Sequence, residues 1–127
     1  ASAESVANRE HYVKMQGREV FRFATRVMPD SVLQALDRAG LSTNDIDLLI
    51  PHQANVRIID AASRRLKLAD SAVFANVERY GNTSAASIPV ALCEALEEGR
   101  IRAGDTVVMS GFGAGLSWGT AVWKWHG

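Results

Sequence analysis

Apolar positions recur first at helical spacing and later in short continuous or alternating runs. From Arg18 onward, Val20, Phe21, Ala24, Val27 and Met28 share one helical face. Pro29 is expected to interrupt that helix, because its ring blocks the preceding turn and it lacks an N–H. Asp30 or Ser31 can cap a second helix with Val32, Leu33, Leu36 and Ala39 inward and Gly40 as its stop. Residues 1–17 are polar and read as irregular, with a short extended piece near Tyr12-Val13-Lys14-Met15.

Ile46-Asp47-Leu48-Leu49-Ile50 is short, apolar and branched, which predicts a buried strand stopped by Pro51. Helical period returns over residues 55–68, with Ile59, Ala62 and Leu66 inward and Arg57, Arg64, Arg65 and Lys67 outward. Ala72 to Val77 reads as a second strand and Gly81 as a turn. A helix follows over residues 84–98, striped by Ile88, Leu92, Ala95 and Leu96. Pro89 lies near its start, where a missing N–H costs least. Thr106 to Met109 reads as a third strand and Gly111 to Gly115 as a tight loop. Beyond it Leu116, Trp118, Thr120 and Val122 alternate with Ser117, Gly119, Ala121, Trp123 and Trp125, the period of a strand.

Strands separated by helices imply a parallel sheet with right-handed crossovers, and the final short connection implies an antiparallel hairpin. Sites in such α/β sheets form beyond the carboxyl ends of the strands. Three loops fall there: Pro51 to Asn55, Tyr80 to Ser84 and Gly111 to Gly115.

Composition narrows the class. A chain of 127 residues, 47% hydrophobic, suits one compact domain with a real core. Zero formal net charge argues against a general nucleic-acid or membrane partner, where a basic excess would be expected. No apolar run reaches the roughly 18 residues of a spanning helix. The single cysteine, Cys93, cannot close an internal disulfide, so a reducing compartment is the simpler expectation. The chain opens without a signal-peptide pattern and without methionine, consistent with a cut, processed or partial chain.

His52 follows an apolar strand and precedes a helix. Asn82 holds the equivalent place in the next unit. Each alone fits a capping or turn residue; together they put two N–H donors at one sheet edge. The Gly111–Gly115 loop opens a strand and not a helix, so it is no dinucleotide fingerprint. Its glycines suit a sharp bend or close approach of the backbone to a ligand. The Arg57, Arg64, Arg65 and Lys67 cluster reads as a solvated face, with a phosphate or acidic-partner patch as the minority reading. Cys93 reads as a packed thiol, since no neighbour would lower its pKa. The tryptophans fit sheet packing better than ligand stacking. The histidines and the lone cysteine show no metal-ligand spacing, so no metal is expected.

Pro51-His52-Gln53-Ala54-Asn55-Val56-Arg57, Gly81-Asn82-Thr83-Ser84-Ala85-Ala86-Ser87 and Gly111-Phe112-Gly113-Ala114-Gly115 with Trp118-Gly119 closely resemble β-ketoacyl-acyl-carrier-protein synthase III. The segment from Tyr12 to Phe23, including Met15-Gln16-Gly17-Arg18-Glu19-Val20-Phe21, is similar to the same family. The blocks cover nearly the whole chain in order. Plant-type polyketide synthases share the histidine, the asparagine and a glycine loop, but differ in the neighbouring residues.

The resemblance implies an α/β fold, one half of a thiolase fold with a five-stranded mixed sheet and helices on both faces. Residues 1–127 would be the C-terminal domain of a condensing enzyme. It implies a Cys-His-Asn triad whose cysteine lies in the N-terminal half, since Cys93 is not in the family's nucleophile motif. His52 and Asn82 would be the catalytic residues that stabilise the enolate formed when a malonyl thioester loses carbon dioxide. Gly17, Ala54, Asn55, Phe112 and Ala114 would bind substrate and coenzyme A. Arg57 would face the carrier protein. No covalently bound cofactor is implied, and acyl-CoA would be a substrate.

Expected partners are the acyl carrier protein, a companion N-terminal half and a second copy of the complete unit as a homodimer, with neither nucleic acid nor membrane. The expected compartment is cytoplasmic. Two other readings stay open: a related acyltransferase of polyketide biosynthesis, and a non-catalytic half that needs a companion chain.

Overall fold

The computed structural model describes residues 1–127. A short helix, α1 (Ala3–Ala7), forms where irregular chain was expected, because Ser2 and Ser5 cap it reciprocally. It buries no residue. The exposed stretch after it leads into α2 (Gly17–Ala39), which runs unbroken through Pro29. The expected interruption does not occur. An interior proline costs about 3 kcal/mol. Here Pro29 is itself buried, within a face that also buries Ala24, Val27, Met28, Val32 and Leu36. Each large apolar side chain so buried contributes about 1.5–3 kcal/mol, and tertiary packing outweighs the local breaker. Leu33 departs from the expected face and is exposed. Gly40, at φ 69°, supplies the left-handed residue that ends the helix.

The remaining elements are β1 (Leu48–Pro51), α3 (Val56–Leu66), α4 (Val77–Tyr80), α5 (Ser87–Glu97), β2 (Thr106–Gly113) and β3 (Ser117–Lys124). Strands β1 and β2 run parallel, β2 and β3 form an antiparallel hairpin, and the order is β1-β2-β3. Asp47 sets the start of the parallel pair: its backbone N–H donates to Thr106, and its carboxylate accepts the Thr106 N–H.

The sheet therefore has three strands and not the five expected of the family half. Only four segments of the chain carry a strand pattern, and one of them, Ala72 to Val77, is reduced to a single bridge between Val73 and Leu49. The reason is local. After Phe74 donates to the Leu49 carbonyl, the partner strand has ended at Pro51. The buried Gln53 side chain takes over: its amide donates to the Phe74 and Pro51 carbonyls and accepts the Asn76 N–H. The ladder is finished by a side chain.

Alternation along the strands sends residues to two cores. Leu48, Ile50 and Val107 pack with Ala91 and Ala95 of α5, Phe74 and Ile101. Leu49 and Val108 face the other way, onto Val32 and Leu36 of α2 and Leu66 of α3. Helices thus cover both faces, as expected. A third cluster, Ala24, Met28, Ile58 and Ala62, joins α2 to α3. Arg65 adds a tie there, donating to the Arg26 carbonyl and pairing with Asp30.

Strand β2 continues to Gly113, so the expected five-residue loop narrows to Ala114-Gly115-Leu116. Gly115 has φ 137°, and a Cβ there would lie 2.5 Å from the Ser117 hydroxyl. Only glycine fits that turn. Cys93 is exposed on α5, not packed; it lies on the side of the helix away from the sheet, between the inward Ala91 and Ala95. No helix is long and apolar enough to cross a membrane.

Candidate active site at the carboxyl end of the sheet

His52 is the first residue past β1. Its backbone N–H donates to the Ser110 carbonyl at 2.8 Å, so the parallel pairing holds it in register with β2. Its half-buried ring lies between two elements. On one side Nδ1 is 2.5 Å from the hydroxyl of Ser87, the first residue of α5. On the other side the Phe112 ring of β2 meets it edge to face, with centroids 5.3 Å apart. Burial pushes the imidazole pKa below the ordinary histidine value, because a partly desolvated site disfavours the charged form.

Ser87 is fully engaged. It is 2% exposed, and its oxygen also accepts the Gln53 N–H at 3.3 Å. One hydroxyl therefore joins the start of α5 to both the ring and the backbone of the turn after β1. Sequence reasoning singled out neither Ser87 nor Gln53. Both stand inside the quoted motifs, but apart from the Pro51 carbonyl their partners lie 20 or more residues away, and no spacing rule reaches them.

Asn82 does not follow a strand, as was expected, but the single turn of α4 and Gly81. Its side-chain oxygen accepts the Ser84 N–H at 2.9 Å, which leaves the amide N–H₂ unspent. The preceding segment is anchored to α5 through Glu94, whose carboxylate accepts from Asn76, Arg79 and the Tyr80 hydroxyl. Those donors hold the Glu94 pKa down, chiefly the Tyr80 hydroxyl, and the same bond raises Tyr80.

His52 and Asn82 are not hydrogen-bonded to each other. Asn82 lines an open concavity of about 620 Å³ with Ala54, Asn55, Val77 and Glu78. Asn55 also caps α3, accepting the Arg57 N–H at 2.9 Å. Gly17 and Arg57 line a second, shallower depression with Arg18, Phe21 and Arg22. The Arg57 guanidinium stands over the Phe21 ring, 5.5 Å from its centroid. Phe21, Ala54 and Phe112 pack on the cluster that joins α2 to α3; Phe21 also lines the second depression and Ala54 the first. Ala114 is exposed at the tip of the hairpin. Thus Ala54, Asn55 and Asn82 come together, as do Gly17 and Arg57, and His52 meets Phe112.

Comparison with known proteins bears on the family and the fold. Residues 36–125 match the family model described as 3-oxoacyl-[acyl-carrier-protein (ACP)] synthase III C terminal. The chain is 61% identical over 125 residues to a β-ketoacyl-[acyl-carrier-protein] synthase III of Symbiobacterium thermophilum, covering 98% of this chain and 38% of that protein. A crystal structure of the Thermus thermophilus synthase III superposes with a TM-score of 0.88 at 59% identity, covering 90% of this chain and 36% of the other. A priming β-ketosynthase from the R1128 polyketide pathway gives a TM-score of 0.78 at 38% identity, over 86% and 34% of the two chains. The chain spans about two fifths of the length of the curated relatives it matches. Sequence, fold and the matched C-terminal model together show that this chain belongs to the 3-oxoacyl-[acyl-carrier-protein] synthase III family, in the part that its C-terminal model describes.

Proposed function

We propose that this chain is the C-terminal domain of a β-ketoacyl-acyl-carrier-protein synthase III that joins an acyl-CoA primer to a malonyl thioester on acyl carrier protein in fatty-acid biosynthesis. The observation that carries the reading is the half-buried His52 ring, held by Ser87 at the carboxyl end of β1 in a chain of this family. In the proposed reaction the acyl group first moves from coenzyme A to a cysteine of the companion half. The malonyl thioester then loses carbon dioxide, and the C–C electron pair becomes an enolate with its charge on the thioester oxygen. That carbanion attacks the acyl-cysteine carbonyl, a C–C bond forms and the cysteine thiolate leaves.

Two donors would act on the enolate oxygen. His52 gives one N–H from its neutral ring, and Asn82 gives one from the amide that Ser84 leaves free. Ala114 would offer its backbone N–H to the oxyanion formed at the acyl-cysteine, and Phe112 would wall the pocket. Ala54, Asn55 and Gly17 would line the path of the pantetheine arm. Arg57, exposed beside Arg18 and Arg22, would meet the acidic carrier protein and speed association more than chemistry. Cys93, exposed on α5, has no part in it.

The test uses the complete protein. His52→Ala should lower malonyl-thioester decarboxylation by roughly 100- to 1,000-fold, the usual cost of one such donor, while acyl-enzyme formation remains detectable by mass spectrometry. Loss of acylation with decarboxylation intact would sink the assignment. The likeness to the R1128 ketosynthase favours a second reading, an acyl transfer within polyketide synthesis. A polyketide-pathway ketosynthase would also release carbon dioxide from malonyl thioester, so the acyl acceptor and product made by the complete enzyme separate the two pathways. An enzyme that moves the acyl group to an alcohol or amine would release none.

A further inference from the structure

A neutral imidazole has two tautomers, and only one of them can serve the enolate. If Nδ1 carries the proton, the ring donates toward α5 and presents a lone pair at Nε2. If Nε2 carries it, the ring accepts at Nδ1 and keeps a donor for the open side. The surroundings of Ser87 decide between them. The residue is 2% exposed, and its hydroxyl has one proton to give. Its oxygen already accepts the Gln53 N–H at 3.3 Å, and its one other partner is His52 Nδ1, at 2.5 Å. Were Nδ1 protonated, the Ser87 proton would be left buried with no acceptor, and an unspent buried donor carries a desolvation penalty of about 1–3 kcal/mol. No acceptor within the first turn of α5 takes it instead.

We propose that Ser87 is a positioning residue that fixes His52 as the Nε2–H tautomer, its hydroxyl donating to Nδ1 while its oxygen accepts the Gln53 N–H. The role rests on His52 being the enolate donor proposed above. Because Ser87 opens α5, it also places the ring at the positive end of an 11-residue helix, where an imidazolium is disfavoured. The Gln53 N–H does more than hold the turn: it occupies a Ser87 lone pair and so turns the hydroxyl proton toward the ring. Tautomer and ring orientation are then set by Ser87 together with Gln53, whose side chain completes the sheet edge.

Nitrogen-15 NMR of the complete protein, labelled at histidine, reads the tautomer without reference to activity. Under conditions where His52 is neutral, the wild type should show an unprotonated Nδ1 and a protonated Nε2, assigned by loss of the signals in His52→Ala. Ser87→Ala should move the pair toward a mixture. It should also lower kcat for malonyl decarboxylation by about tenfold, less than deletion of the donor itself, with KM little changed. Ser87→Thr keeps the hydroxyl and should restore both the tautomer and the rate. Acyl-enzyme formation in Ser87→Ala serves as the check that the variant is folded.

A protonated Nδ1 in the wild type overturns the proposal whatever the activity. So does a Ser87→Ala spectrum identical to that of the wild type. If Ser87→Ala changes the tautomer but leaves decarboxylation unaltered, the positioning of the ring stands, and the reading of His52 as enolate donor fails.

Discussion

His52 sits one residue past a buried strand, and its address could be read from the chain: an apolar branched run, a proline, then the ring. Its chemistry could not. The half-burial that lowers its pKa places it against Ser87, 35 positions along, and Phe112, 60 positions along. A pH dependence follows with a definite sign. The native pKa lies below the ordinary 6.5, so between the two values the unfolded chain binds more protons than the native one. The contribution of this group to stability is present above the unfolded pKa and is lost as pH falls through the native value. If the neutral ring is the active form, the acid limb of malonyl decarboxylation should fall below pH 6.5, as a rate profile of the complete enzyme would show. An acid limb at or above that value would contradict the burial argument. Asn82 was legible through its motif, not its setting. It follows a helical turn, and the free amide at its tip is a product of the Asn82–Ser84 turn.

At the level of elements, the departures from the expected pattern share one cause. Local signals speak for one segment at a time, and partners far along the chain, such as Phe74 and Asn76 for Gln53, can overrule them. Pro29 is a helix breaker only when the helix has little else to hold it; here the same turn is pressed between the sheet and α3. Ala72 to Val77 has strand composition, yet it lies against a strand that ends too early, and Gln53 fills the gap. That substitution makes a prediction. Gln53→Met conserves volume but leaves the Asn76 N–H and the Phe74 carbonyl without partners, at about 1–3 kcal/mol for each orphaned group. Urea unfolding should report that loss, and amide exchange at Asn76 should accelerate. An unchanged midpoint would mean that water or a shifted backbone replaces the side chain.

Across the whole molecule, two cores lie back to back on one thin sheet, and β1 serves both of them. Leu48 and Ile50 serve one core and Leu49 the other, while the Leu49 backbone also meets Val73 and Phe74. Leu49→Ala should cost about 2–5 kcal/mol, the range for a fully buried leucine. Leu33→Ala, at a position 44% exposed, should cost under about 0.5 kcal/mol. Denaturant unfolding of the complete protein distinguishes them, and equal effects would refute the two-core description. By itself the sequence determined the helix and strand types of most segments, the two-sided burial of the sheet and the address of His52, because periodicity, proline and glycine act through near neighbours in the chain. Its motifs also named the family. Only the tertiary structure decided that α2 survives its proline, that the sheet stops at three strands, and that Ser87 and Gln53 hold the histidine. Those outcomes depend on buried hydrogen bonds and packing between residues far apart in sequence, whose energies exist only once the chain has folded.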